Sequence, residues 1–427
     1  MCNSGRLTGV TKTRIIDGMN IISACQICAA RPLQLVLALG HHAMVQEYLT
    51  EKTRHQPEAT YPLNLVRCVR CGLLQLDYVA DPTVVFPPSY PYRTGLTGML
   101  IRNFQGLADM VTSQYPPTGR ALVVDIGSND GTLLKSFKKK GWRVLGVEPT
   151  NAAREANRAG VNTLQEYFSA ASVKKIRKQY GLAKIVTATN VFAHIPDVSS
   201  LLRNIKAIMT PDGVFISESQ YLLDIIVKLE FDTIYHEHLR FYSLQPLRRL
   251  FARHGMSMVD AERISAAGGS IRVFAKKGKH AMSARANQLL AAEKRAGLYD
   301  GKTLKKFAER AVRAKHDLLS LLIRCKKNGG RIAAIGSPAR SNTLLNFTRV
   351  DSDLISYAGE KSGSPKIGLF APGSHIPVVD EKRLFIDQPD YALLLSWHIG
   401  AELSGILRKR GFQGKYILPL PKPKIIS

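Results

Sequence analysis

The sequence predicts an α/β protein in which a small cysteine-rich module precedes two doubly wound units. Three observations predict it. Two C-x-x-C pairs, Cys25 with Cys28 and Cys68 with Cys71, lie near the N-terminus. From Ala121 short apolar runs alternate with amphipathic stretches, the rhythm of a parallel sheet covered by helices. A second series of the same kind opens at Arg331, after a long stretch rich in Ala, Lys and Arg.

At 427 residues the chain exceeds one ordinary core. With 45% hydrophobic and 22% charged residues it is globular rather than disordered. The expected organisation is a disordered leader over 1–20, a zinc-binding unit over 21–85, an α/β unit over 86–282, and a helical connector with a second Rossmann-like unit over 283–427. Translation from Met19 is as consistent with the leader as translation from Met1. The leader lacks the apolar core of a secretory signal, and no run of about 18 apolar residues suggests a membrane span. The expectation is a cytoplasmic chain, monomeric or homodimeric, with no membrane partner. The formal net charge of +27 first suggests nucleic acid. However, the densest basic runs, 135–143, 174–178 and 302–313, sit in helix-like segments where such residues form a solvated face. Nucleic acid is therefore not the expected partner, and an anionic small substrate needs only a local basic site.

Each element follows in order. Paired thiols at C-x-x-C spacing reach one ion, and four thiolates close its coordination shell, so Cys25, Cys28, Cys68 and Cys71 predict a structural Zn2+ site. Without a secretion signal, disulfides are not expected. Cys2 and Cys325 look incidental. The Pro- and Tyr-rich stretch 81–92 reads as a linker or lid, and a helix is expected over 96–112 before Pro116-Pro117 breaks the chain. ALVVDIG, RVLGVEP, IVTATNVF and GVFISES read as strands, with helices over TLLKSFKKKG and 198–209. One long helical stretch is expected over about 283–328. RIAAIG, LISYAGE, YALLLSW and KYILPLP then supply the second set of strands. No internal sequence repeat is apparent.

The strand ALVVDIG ends at Asp125 and enters Gly127-Ser128-Asn129-Asp130-Gly131, where the glycines allow a sharp turn. In doubly wound sheets ligands bind at the carboxyl ends of strands. The dinucleotide motif G-x-G-x-x-G is missing. The next strand ends at Glu148, an acidic residue placed to accept hydrogen bonds from two ribose hydroxyls. A glycine loop followed by such an acid fits S-adenosylmethionine.

Several segments together give the chain a family resemblance: both C-x-x-C pairs, Tyr90-Pro91-Tyr92-Arg93, VVDIGSNDGTLL, VLGVEPT, TNVFAHIPDV, FDTIYHEHLRFYS, GGSIRVF, GSPARSNTLLNF, APGSHIPV and LLLSWHI. From about Cys25 to Leu420 the chain resembles the S-adenosylmethionine-dependent C-methyltransferases of deoxysugar biosynthesis, which act on dTDP-linked 4-keto sugars. The resemblance implies a zinc domain, a central class I methyltransferase domain, and a C-terminal Rossmann-like domain that helps hold the nucleotide sugar. Departures fall at Ser337, Arg340 and Ser341, where relatives have Ala, Lys and Gly. Others fall at 356–360, in place of an acidic turn, at Thr94-Gly95, and at His398. They bear on the identity of sugar and nucleotide rather than on methyl transfer.

C-methylation needs a carbanion equivalent: a base to remove a proton beside a ketone, and a donor for the enolate oxygen. Tyr235-His236-Glu237-His238 concentrates such groups. In an extended segment His236 and His238 share a face; in a helical turn Tyr235 and His238 are neighbours. By resemblance His238 is the general base, Glu237 its orienter or a sugar-hydroxyl partner, and Tyr235 a substrate or enolate contact. His194 is a second candidate for base or donor, and His236 a third catalytic candidate. The cofactor set is Asp125, Gly127, Asn129, Asp130, Gly131, Glu148 and Asn190. Tyr90 and Tyr92 are expected to close over the site, with Gly269, Ser270, Arg272, Arg340 and Asn342 facing the substrate. The alternative is a zinc-containing methyltransferase acting on RNA or on a small-molecule oxygen or nitrogen. However, TNVFAHIPD carries neither the aromatic–polar-Pro-aromatic loop nor the cysteine nucleophile usual in nucleic-acid enzymes. A non-catalytic scaffold is disfavoured by the density of the Tyr-His-Glu-His cluster.

Overall fold

The computed structural model describes residues 21–427 apart from Ser89, Pro91 and Thr97. The expected leader over 1–20 lies outside the described residues.

Strand β1 (Leu33–His42) pairs antiparallel with β2 (Tyr61–Cys68), and β2 with β3 (Leu74–Leu76). The second cysteine pair forms the tight turn between β2 and β3, where Gly72 takes a φ of +82°. The long gap between the cysteine pairs is thus a hairpin.

The central sheet carries β4 (Leu122–Ile126), β5 (Arg143–Val147), β6 (Thr163–Leu164), β7 (Ala183–Thr189) and β8 (Met209–Gln220). They run parallel in the order β8-β7-β4-β5-β6. All five residues of β4 are buried, as expected of a strand covered on both faces. The helix Gly98–Gln114 packs with a stripe of Leu100, Phe104, Leu107, Ala108 and Val111, spaced to share one side. The next strand, β9 (Arg240–Phe241), leaves this sheet and pairs antiparallel with β3. It completes the cysteine-bearing sheet in the order β1-β2-β3-β9. Strands β10 (Met256–Ile264) and β11 (Ser270–Lys277) return to the central sheet as an antiparallel edge beside β8.

The stretch expected as one helix over about 283–328 is two, Ala284–Arg295 and Gly301–Lys327. Gly297 adopts φ +66° at the break, and the Asp300 side chain caps the second helix by accepting from the Lys302 N–H. The second helix buries Leu304, Phe307, Ala311 and Ala314 and leaves Lys302, Lys305, Lys306, Arg310 and Arg313 exposed. This basic run therefore forms a solvated helix face.

The last sheet holds β12 (Ile332–Ile335), β13 (Ala358–Glu360), β14 (Val378–Asp380), β15 (Tyr391–Leu394), β16 (Lys415–Leu418) and β17 (Lys424–Ile426). Its order is β14-β13-β12-β15-β16-β17, parallel except for β17. The order around β12 repeats the order around β4, although the sequence shows no repeat. Among the described residues no helix is long and apolar enough to cross a membrane.

Candidate active site

The sulfurs of Cys25, Cys28, Cys68 and Cys71 lie within 4.8 Å of one another. Cys25 and Cys71 sulfurs are 3.4 Å apart, and those of Cys28 and Cys68 3.5 Å, too far for disulfides. The Ile27 N–H donates to Cys25 Sγ at 3.4 Å and the Cys71 N–H to Cys68 Sγ at 3.5 Å. The neighbouring Cys71 thiol, with the Cys28 and Ile27 amides, lowers the Cys25 pKa to about 5 against its burial. Four soft, mostly buried donors fit a closed tetrahedral zinc shell, whose sulfur–sulfur spacing is about 3.8 Å for legs of about 2.3 Å.

At the carboxyl end of β4 the Gly127 turn (φ +68°) passes so close to the loop after β7 that an added Cβ would lie 2.4 Å from Val191 Cγ2. Glu148, at the tip of β5, is 5% exposed. Its carboxylate accepts from the Asn129 N–H at 3.0 Å and the Thr150 N–H at 2.9 Å. The buried Ser128 hydroxyl in this turn has no partner among the described residues. A glycine cradle, an unpartnered hydroxyl and an acidic strand tip fit a nucleoside bearing ribose hydroxyls. Asp125 lies deeper: it accepts from Thr187 Oγ1 at 2.6 Å, and burial raises its pKa to about 7. Asn129 and Asp130 act as staples. Asn129 Oδ1 accepts from the Thr94 N–H at 2.9 Å, and Asp130 Oδ2 from the Gly95 N–H at 2.7 Å. They bind the segment that follows Tyr92, itself exposed, to the glycine turn. Gly131 starts the following helix with φ +76°. Asn190 (φ +56°) turns the chain at the end of β7, its N–H on the Glu218 carbonyl at 2.7 Å.

Tyr235 to His238 form a turn rather than a strand: the His238 N–H donates to the Tyr235 carbonyl at 2.9 Å. The Tyr235 and His238 rings consequently lie 4.0 Å apart, tilted by 38°. His194 follows at 5.1 Å from His238, and Phe86 at 5.5 Å from His194. His238 Nδ1 lies 2.7 Å from the Thr233 carbonyl. Burial lowers the His238 pKa to about 4, so the neutral ring donates from Nδ1, and its Nε2 has no hydrogen-bond partner among the described residues. Burial also drives the His194 pKa well below its usual value, with His238 and Arg240 adding to the shift. Tyr90 donates to Glu237 Oε2 at 3.0 Å, and burial raises the Glu237 pKa to about 7.

His236 points elsewhere. It is 2% exposed, lies edge-on to Tyr61 and Tyr78, and its Nε2 is 3.1 Å from the Pro62 carbonyl. It anchors the turn to the cysteine-bearing sheet. The basic residues expected to face substrate have internal partners. Arg272 bonds Glu218 Oε2 at 2.9 and 3.1 Å, Glu262 at 3.2 Å and Asn103 at 3.0 Å. Arg340 forms a two-pronged pair with Asp232 at 2.8 Å per bond and lies over Trp397. Asn342 donates to the Val45 carbonyl at 2.7 Å, and Ser270 to the Ala266 carbonyl at 3.0 Å. A Cβ on Gly269 would lie 2.3 Å from Asp224 Cγ, so this glycine serves close packing.

Sequence reasoning assigns no role to Lys366 and Tyr48, and marks Glu360 only as part of the departure at 356–360. Glu360, at the tip of β13, accepts from the Ser337 N–H and the Lys361 N–H at 2.9 Å each. This repeats the Glu148 arrangement in the second sheet. The signal was present: both strands end in Gly-Glu or Gly-Val-Glu after a glycine turn. Lys366 Nζ donates to the Ser337 carbonyl at 2.7 Å and lies over Tyr48, and its charge reaches Glu237.

Comparison with known proteins matches residues 25–86 to a zinc binding domain family, 102–261 to a methyltransferase domain family, and 265–421 to the C-methyltransferase C-terminal domain family. The C-methyltransferase NovU of Streptomyces niveus is 33% identical over 417 residues, 96% of this chain and 98% of that protein. A ubiquinone biosynthesis O-methyltransferase of Colwellia psychrerythraea is 27% identical over 157 residues, 33% of this chain and 63% of its own. Among solved structures, magnesium protoporphyrin IX methyltransferase from Synechocystis is 14% identical, with a TM-score of 0.33 over 42% of this chain and 80% of its own.

Proposed function

This chain belongs to the C-methyltransferase family, and from that premise we propose that it transfers a methyl group from S-adenosylmethionine to a carbon beside a ketone on a nucleotide-linked deoxysugar. The observation that carries the reading is the neutral His238, its Nδ1 tied to Thr233 and its Nε2 without a hydrogen-bond partner among the described residues, stacked on His194 and tilted against Tyr235. His238 Nε2 takes the proton from the carbon beside the ketone; the C–H electron pair becomes the enolate C=C bond, and the C=O π pair moves onto the oxygen. Tyr235 or His194 donates a hydrogen bond to that oxygen. Glu237, held by Tyr90, meets a sugar hydroxyl or steadies the turn. When bound, S-adenosylmethionine supplies the sulfonium methyl, the electrophile that this carbon needs. Glu148 receives the ribose hydroxyls, and the Tyr92 lid, stapled by Asn129 and Asp130, covers the turn. Zinc holds the four cysteines together and takes no part in the reaction. The second glycine turn, with Glu360 and Lys366, supports a role for the last sheet in holding the substrate's nucleotide. We divide the chain into a zinc-binding unit over 21–85, a methyltransferase unit over 86–282 and a connector with its Rossmann-like unit over 283–427.

The test is incubation with methyl-labelled S-adenosylmethionine and a panel of nucleotide-linked 4-keto sugars, with RNA as a parallel substrate. Label is expected on a sugar carbon. Label on oxygen, or on RNA alone, overturns the reading.

Glu148 provides a separate check. Glu148→Ala is expected to weaken S-adenosylhomocysteine binding by at least about 1 kcal/mol, roughly fivefold, because a charge-assisted hydrogen bond is lost. Unchanged affinity by calorimetry would remove Glu148 from the ribose site.

A further inference from the structure

Arg240 is 1% exposed, among the largest fully buried side chains of the protein. Among the described residues no carboxylate forms an ion pair with it. A buried cation usually has a charged partner; this one is satisfied by neutral oxygens. Its Nε donates to the Tyr242 hydroxyl at 3.0 Å. One terminal nitrogen donates to the Gln26 side chain and to the Pro196 carbonyl at 3.3 Å. The other donates to the Ile195 carbonyl and to the Phe192 carbonyl at 3.4 Å. Three carbonyls from the turn that carries His194 therefore converge on one guanidinium. Gln26 lies between Cys25 and Cys28, inside the first zinc knuckle, and its own N–H is held by Gln75 of β3 at 2.9 Å.

The backbone makes the same connection. The Leu239 N–H, directly after His238, donates to the carbonyl of Ala193, directly before His194, at 3.1 Å. The Leu239 carbonyl accepts from the Leu76 N–H of β3 at 3.0 Å. The next residue, Arg240, pairs with Gln75 in register. One short strand thus joins the zinc-bearing sheet to both histidine turns.

We propose that Arg240 is a positioning residue, held by Gln26 of the zinc knuckle, that fixes the His194 turn against His238. It touches neither substrate nor cofactor; it acts through the two rings. This inference rests on the reading of His238 and His194 as the proton-handling pair, and it gives the zinc module a role in their geometry that a remote stabilising metal would not have.

Gln26→Ala is the decisive variant, because it shortens a half-buried side chain and leaves all four thiols in place. Expected are a kcat lowered about tenfold, an unchanged KM for both substrates, unchanged S-adenosylhomocysteine affinity and a full zinc content. Gln26→Glu, which keeps an acceptor for Arg240, is expected to restore kcat to within about twofold. Arg240→Lys, which cannot fork across these five oxygens, is expected to lose at least as much as Gln26→Ala. In NMR spectra of the histidine rings, Gln26→Ala should move the His194 and His238 signals and leave His254 and His280 alone. An unchanged kcat in Gln26→Ala overturns the proposal, as does loss of zinc or of cofactor affinity in step with kcat. If the wild-type enzyme methylates no keto sugar, the functional reading falls. The ring signals then still decide the positioning role, and unmoved His194 and His238 signals overturn it.

Discussion

His238→Asn is expected to lower methyl transfer by about 100-fold or more while cofactor and sugar still bind. The expectation follows from how the ring is held. Thr233 occupies Nδ1, so Nε2 is the acceptor, and burial keeps it neutral far below the pH at which a free imidazole charges. Asparagine keeps a donor for Thr233 and has no basic nitrogen. Solvent exchange separates the steps. In D2O, with S-adenosylhomocysteine in place of the methyl donor, the wild type should wash deuterium into the carbon beside the ketone, because deprotonation precedes transfer. His238→Asn should lose this wash-in, whereas His194→Asn should retain some of it. Wash-in that survives in His238→Asn and vanishes in His194→Asn would exchange the two roles. No wash-in in any form, with methyl found on oxygen, would dispose of the enolate altogether.

Removing the metal should have the other large effect. Purified protein is expected to carry one zinc per chain, on Cys25, Cys28, Cys68 and Cys71 at about 2.3 Å per sulfur. A structural zinc contributes on the order of 10 kcal/mol to the fold around it. Chelation, or Cys68→Ser, should therefore release the hairpin of β2 and β3. Because β3 carries β9, and β9 follows His238, wash-in and methyl transfer should fall together. S-adenosylhomocysteine should still bind, because Glu148 and the glycine turn lie on the central sheet. Protein that holds no metal, or that has a disulfide within either cysteine pair, would refute the assignment. Loss of cofactor binding along with the metal would show global collapse instead of a local release.

What the sequence disclosed was whatever depends on neighbours in the chain. The cysteine pairs, the VVDIG turn and Glu148 are local patterns, and β4 is a continuous apolar run that reads as a central strand. The Tyr-His-Glu-His segment was ambiguous because four residues fit both a period of 2 and a helical turn. The deciding contacts, His236 with Pro62 and Leu239 with Ala193 and Leu76, come from distant segments. The basic residues misled for the same reason. Arg272 and Arg340 have the chemistry to bind phosphate, but Glu218 and Asp232, 54 and 108 positions away, hold them inside the protein. Burial of a cation is set by tertiary partners, and no periodicity reveals it. The segment 356–360 stands out in the sequence, but its tip Glu360 matches Glu148 only once β13 is seen to end against the Ser337 N–H.

The late arrival of β9 also governs how the chain is made. All four cysteines have been synthesised by Cys71, so the metal can be captured early. The strand that closes the open edge of β3 is synthesised only at Arg240–Phe241. At about 5–20 residues per second, the interval is on the order of 10 s. During that time an unpaired strand edge is exposed, the kind of edge that recruits other chains. A chain ending between residues 77 and 239 has all four cysteines and is expected to leave that edge of β3 unpaired. The N-terminal module is therefore not a portable unit, and a soluble excised version would need Arg240–Phe241, or a strand that imitates them, attached to it.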